Sequence, residues 1–112
     1  MAKNAILPIE MEAFDSAGLT GIGTFDALNP DGLDHSVFLL RIINDSDTDV
    51  LLSYDGNLDH DFLPAGETLQ IDFQPSTQIG SSIAAIRQGT VIYAEGVAGV
   101  GFIYVTGYYR SD

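Results

Sequence analysis

The chain has 112 residues, with 16 acidic side chains against 4 basic ones and no cysteine. That length fits one domain able to bury roughly 65% of its unfolded surface, and the missing cysteine excludes disulfides, thiolate metal sites and thiol nucleophiles. A net charge of −12 argues against nucleic acid and anionic membrane surfaces as partners, because both are held by Lys and Arg. Solubility, a basic protein partner and cation binding all remain compatible with it. No apolar run approaches the roughly 20 residues that cross a bilayer as a helix. The opening MAKNAILPIEMEAF, with one lysine and early glutamates, does not read as a signal peptide.

In chain order, residues 1–18 are expected to form an N-terminal extended arm. It carries a short strand signal where Ile9, Met11 and Ala13 alternate with Glu10, Glu12 and Phe14. Residues 19–112 are expected to form the folded domain. Leu19–Phe25 alternates as a glycine-containing strand, and Asn29-Pro30-Asp31-Gly32 predicts a tight turn.

Val37–Ile43 is apolar on both faces except at Arg41, which predicts a strand buried on both sides, at a sandwich centre or under a neighbouring subunit. Asn44–Asp49 reads as a hairpin-type loop into a second strand, Val50–Tyr54. Turns follow at Asp55-Gly56 and Pro64-Ala65-Gly66. Thr68–Gln74 then alternates cleanly, with Leu69, Ile71 and Phe73 inward and Thr68, Gln70, Asp72 and Gln74 outward.

Pro75–Ser82 is a polar connection, and Ile83–Arg87 suits either a helical turn or a short strand. The chain closes on an expected hairpin of Val91–Ala94 with Phe102–Tyr109 around the loop Gly96–Gly101. Along its last arm Phe102, Tyr104, Thr106 and Tyr108 share one face, opposite Ile103, Val105, Gly107 and Tyr109. About seven or eight short strands with turn signals between them predict an all-β, single-domain antiparallel β-sandwich, jelly-roll-like.

The central stretch Val37–Phe73 carries Asp45, Asp47, Asp49, Asp55, Asp59 and Asp61 in its loops, without a lysine or arginine there. Asp55, Asn57, Asp59 and Asp61 present oxygens at alternate positions, as calcium loops do. An EF-hand match fails, because His60 stands where the sharp turn needs glycine and Gly66 where a bidentate glutamate belongs. These four residues are metal candidates only through a site of another kind. Aspartate and asparagine also shape turns by local hydrogen bonding, which is the plainer reading.

No cofactor is expected. His35 and His60 each neighbour an aspartate, yet no nucleophile signature accompanies them, and Ser53 lies among apolar strand neighbours. Two histidines with carboxylates at these spacings do not form a recognised zinc set. The glycines of Gly96–Gly101 precede a strand rather than a helix, so they do not form a dinucleotide-binding turn. The chain is therefore expected not to be an enzyme. Val37, Leu39, Tyr104, Tyr108 and Tyr109 are the candidates for a partner or oligomer interface, since both of their strands are apolar on two faces. The exposed aromatics also suit stacking on carbohydrate.

An ordered set of segments runs through Ser53–Gly56 (SYDG), Asp59–Asp61 (DHD), Leu63–Leu69 (LPAGETL) and Gly99–Tyr109 (GVGFIYVTGYY). Taken with Leu28-Asn29-Pro30, this set resembles a family of small structural proteins of tailed bacteriophages. The resemblance covers roughly residues 25–110. It implies a virion component made in the host cytoplasm, a non-enzymatic β-sandwich that decorates or cements the capsid surface. Its partners would be the major capsid protein and further copies of itself, with a trimer as the default. A tail, collar or fibre-associated module is the alternative from the same source. A calcium-dependent carbohydrate- or protein-binding sandwich is the alternative of another class.

Overall fold

The computed structural model describes residues 6–72 and 85–110. Among the described residues nine strands form in chain order: β1 (Ile6–Pro8), β2 (Glu12–Asp15), β3 (Asp26–Ala27), β4 (Leu39–Ser46), β5 (Val50–Ser53), β6 (Asp61–Leu63), β7 (Thr68–Asp72), β8 (Tyr93–Glu95) and β9 (Gly101–Arg110). A single 3-10 turn, Ser16–Gly18, follows β2, and there is no α-helix among the described residues. The strands make two antiparallel sheets, one in the order β1-β9-β4-β7 with β2 also on β9, the other β3-β8-β5-β6. The fold is an all-β sandwich.

The pairing follows one rule. β1 and β2 lie in series along β9, β3 pairs with β8, β4 with β7 and β5 with β6. First pairs with last and the middle two with each other, as in one long antiparallel ribbon. Rolling that ribbon up adds the β4–β9 and β5–β8 pairs. This wiring is that of a jelly roll.

The core lies between the sheets. Leu40 and Ile42 of β4 and Ile103 and Val105 of β9 face Val50 and Leu52 of β5, Leu63 of β6 and Ala94 of β8, all 2% exposed or less. Leu28, Leu33 and Ile92, from the connections, complete the same buried cluster. β4 and β9 alternate buried and half-buried residues along their length, the period of two that a strand with one core-facing side must show.

Several expectations from the sequence are corrected by this wiring. Val50–Tyr54 is not the second arm of a hairpin with Val37–Ile43, and Tyr93–Glu95 is not a hairpin partner of β9. In each case consecutive strands enter different sheets. The connections Asp47–Asp49 and Gly96–Val100 cross from sheet to sheet, because β4 and β9 pair with each other rather than with the strands next to them in sequence. Leu19–Phe25 is a loop rather than a strand. Gly21 and Gly23 take positive φ there, and the Thr20 backbone N–H and hydroxyl donate to the Asp26 carboxylate.

The segment read as an N-terminal arm is extended. From Ile6 onward, however, it is laid along β9 as the sheet edge, with Ile9 and Ser16 buried, so residue 18 marks no boundary in the fold. Strand β4 runs on to Ser46, through the start of the expected loop, and its second face is half-buried rather than sealed. Leu69 and Ile71 pack against the core as expected. Phe73, Gln74, the connection Pro75–Ser82 and Ile83 lie outside the described residues. Ile86 forms an isolated bridge with Val37.

Candidate functional site

The alternation of β4 and β9 builds a mixed apolar and polar face on the outside of the first sheet. With Leu40, Ile42 and Asn44 turned inward, their neighbours Leu39, Arg41, Ile43 and Asp45 turn out. Register then sets four rows across the sheet. Pro8, Tyr108, Leu39 and Asp72 stand in the first, and Thr106, Arg41 and Gln70 in the second. Ala13, Tyr104, Ile43 and Thr68 make the third, and Asp15, Phe102 and Asp45 the fourth. Two apolar rows thus flank a polar one, and Phe102 sits between two aspartates at 42% exposure. Phe102 and Tyr104 stack at 6.1 Å between ring centroids, and the Arg110 guanidinium lies 5.7 Å over the Phe38 ring.

Of the interface candidates, Leu39, Tyr104 and Tyr108 share this outer face. Val37 and Tyr109 do not. Val37 is fully buried, exchanging backbone hydrogen bonds with Ile86 at 2.9 and 2.8 Å, so its side chain cannot meet a partner. Tyr109 has the opposite parity in β9 and stacks on His35, with ring centroids 3.7 Å apart and planes 9° from parallel. Val37 shares the parity of Leu39 but lies ahead of β4, where its bridge to Ile86 covers it, while Tyr109 stands on the opposite side of β9 from Tyr104 and Tyr108. The sequence shows both faces of these strands as apolar and cannot say which is covered.

The acidic loops act as turn-builders. Asp47 accepts from the Val100 N–H at 2.8 Å and Asp49 from the Ala65 N–H at 2.9 Å. Asp55 accepts from the N–H groups of Asn57 and Leu58 at 2.8 and 3.1 Å, and these bonds, helped by the Ser53 hydroxyl and His60, hold its carboxyl below the ordinary aspartate range. Asp61 accepts from the Tyr54 hydroxyl at 2.6 Å. Burial first, then that bond and the charge of Asp61, push the Tyr54 phenol upward. Asp59 turns instead to Glu95 of β8. A hydrogen bond between the two carboxyls, then desolvation and like charge, raise Asp59.

Asp55, Asp59 and Asp61 therefore engage different partners, and Asn57 meets Asp55 through its backbone N–H. Among the described residues no group of three or more His, Asp or Glu side chains converges as a metal site would require.

Ser53, Asp55 and His60 are neighbours, but their wiring is not that of a catalytic triad. The Ser53 hydroxyl donates to Asp55 at 3.0 Å, and His60 uses Nδ1 to accept the Tyr54 backbone N–H at 3.1 Å. The histidine thus faces backbone rather than the hydroxyl it would have to deprotonate.

Sequence reasoning missed a second set of residues, the buried polar clamps. Asn44 donates from its side chain to the carbonyls of Thr48 and Leu63, and Asn29 bridges the Thr90 carbonyl and the Ile92 N–H. Ser16 donates to the Gly101 carbonyl at 2.9 Å. Continuing the alternation Leu40, Ile42, Asn44 one step would have placed Asn44 inside. Nothing local marks Ser16 or Asn29. Compared with family models, curated proteins and solved structures, the chain has no match in any of the three.

Proposed function

We propose that this chain is a non-enzymatic structural protein of a tailed-phage virion, a decoration or cement protein seated across subunits of the major capsid protein. The observation that carries the reading is the outer face of the first sheet. A band of apolar side chains on the outer face of a sheet, continuous across its central strands, marks a surface suited to a covering partner. Here Leu39, Ile43, Tyr104 and Tyr108 stand outward on the two central strands. Tyrosines among them provide large contact area with polar tips, the chemistry favoured at protein interfaces.

Size decides how such a face is used. Four ranks spaced about 4.8 Å apart, along strands of up to roughly 30 Å, offer about 500 Å². A standard specific interface takes about 800 Å² from each partner. The face therefore docks together with adjoining surface, and the edge beside it is apolar too, with Ile6, Leu7 and Met11 exposed at 58%, 37% and 55%. A contact spread over a sheet face and its edge suits a seam between two subunits.

The test is binding to heads that lack the protein. The parent should sediment with empty heads and delay their thermal disruption, while a Tyr104→Ser, Tyr108→Ser double variant of unchanged melting temperature should not. Parent protein that stays monomeric at high concentration and leaves heads unbound would sink the reading.

A further inference from the structure

We propose that the end of the sandwich formed by loops 45–49 and 96–100 is a separate docking surface for a basic protein segment with an apolar anchor. The feature behind it is a pair of valines with no reason of stability to be where they are. Val97 and Val100 are 63% and 77% exposed, yet the loop that carries them is held firmly. The Asp47 N–H donates to the Val100 carbonyl at 3.1 Å, and the Val100 N–H donates to the Asp47 carboxylate at 2.8 Å. The Thr48 hydroxyl donates to the Val97 carbonyl at 2.8 Å, and the Gly99 N–H to the Ser16 carbonyl at 3.2 Å. The two loops touch so closely that a Cβ on Gly99 would collide with the Asp47 carboxylate and come within 3.0 Å of Thr48 Cβ. Apolar side chains on a fixed loop lose little freedom when a partner covers them, which is how a preorganised contact favours binding.

Charge selects the occupant. The exposed residues around the valines include Asp15, Asp45, Asp47, Asp49 and Glu67. The described arginines lie elsewhere. Arg41 is half-buried on the sheet face, and Arg110 ends the strand whose first residue is at this tip, roughly 30 Å away. Arg87 is next to Ile86, which bridges Val37 near that same far end. A second copy docking through its own matching tip would set the same carboxylates against this rim and be repelled. A lysine- or arginine-bearing segment with a central apolar residue complements both features. Phe102, at the border of the tip, extends the apolar ground towards the sheet face without making the two surfaces one. The inference stands on the tip's own geometry and does not rest on the virion reading.

A short synthetic peptide with lysines around a central leucine pair tests it, titrated into the full-length protein and followed by amide chemical shifts at two salt concentrations. Shifts should concentrate at residues 45–49 and 96–100, and affinity should fall with salt. A Val97→Ser, Val100→Ser double variant with an unchanged spectrum elsewhere should bind roughly tenfold more weakly. A Phe62→Ser variant, at an equally exposed apolar site elsewhere, should bind like the parent. Should the valine variant lose its fold, Asp45→Lys, which alters a solvent-facing carboxylate, gives a second reading and should weaken binding as well. The proposal is overturned by shifts scattered over the acidic surface, by valine variants that bind like the parent, or by concentration-dependent shifts at the tip without peptide. The last outcome would identify a second copy as the occupant.

Discussion

The side chain of Asn44 crosses the sandwich. From β4 of one sheet it donates to the Leu63 carbonyl of β6 in the other at 3.1 Å, and to the Thr48 carbonyl at 2.8 Å. Its backbone joins the same clamp, with the Asn44 N–H on the Glu67 carbonyl and the Gly66 N–H on the Asn44 carbonyl. One fully buried residue thus ties β4, the connection to β5 and the end of β6 into one unit.

Replacing Asn44 by leucine keeps the branched shape with somewhat greater bulk, and takes the amide donor from the buried Leu63 carbonyl and the half-buried Thr48 carbonyl. The expected cost is about 2–4 kcal/mol, read as a lower urea midpoint at unchanged slope. A loss under about 0.5 kcal/mol would mean that water replaces the amide without cost.

A second prediction concerns Gly107, where β9 passes β4 closely. A Cβ there would stand 2.6 Å from the Leu39 carbonyl oxygen, and backbone on both sides leaves little to move. Gly107→Ala is expected to cost about 1–3 kcal/mol. Gly18→Ala is its control, since the nearest atom is Phe14 Cζ at 3.6 Å, and it should lie within about 0.5 kcal/mol of the parent. Equal melting temperatures for the two variants would contradict the close approach.

The third concerns pH. Asp59 contacts Glu95, which is 5% exposed and accepts the Gly23 N–H at 2.8 Å. His60 is the other charged group acting on Asp59. His60 partly offsets the repulsion, but the Glu95 contact outweighs it and raises Asp59 above its ordinary value. A raised carboxyl stabilises the fold while protonated, and that contribution disappears as pH rises through its folded value. Asp55 runs the other way. Its lowered carboxyl stabilises at higher pH and loses that contribution as pH falls through its folded value. Glu95→Gln keeps an acceptor for Gly23 and supplies Asp59 with a donor. The melting-temperature gain over the parent should therefore grow between about pH 4 and pH 7. A gain that is constant or shrinks across that window would refute the carboxyl pair.

Legibility followed the range of the physics. The alternation in Thr68–Asp72 and in Phe102–Tyr109 could be read directly, because the side-chain period of a strand is local. The aspartate turns were legible for the same reason, and Asp47, Asp49 and Asp55 each accept backbone N–H groups. β3 and β6, of two and three residues, were too short to leave a pattern. The outer-face residues Leu39, Tyr104 and Tyr108 were found, but in company with Val37 and Tyr109. With apolar residues on both faces, parity cannot tell core from surface.

The sequence by itself determined an all-β chain, its main strands, its acidic turns and a net charge of −12. Each of these depends on composition or on neighbours a few residues apart. The tertiary structure decided which strands meet. It sent Val50–Ser53 into a different sheet from β4 and Tyr93–Glu95 into a different sheet from β9, and drew residues 6–15 onto the edge of β9. It also sealed one face of β4 and β9 and left the other open. Those choices come from pairings as distant in sequence as Ile6 with Arg110, and they are made by burial of the whole ribbon at once rather than by any local preference.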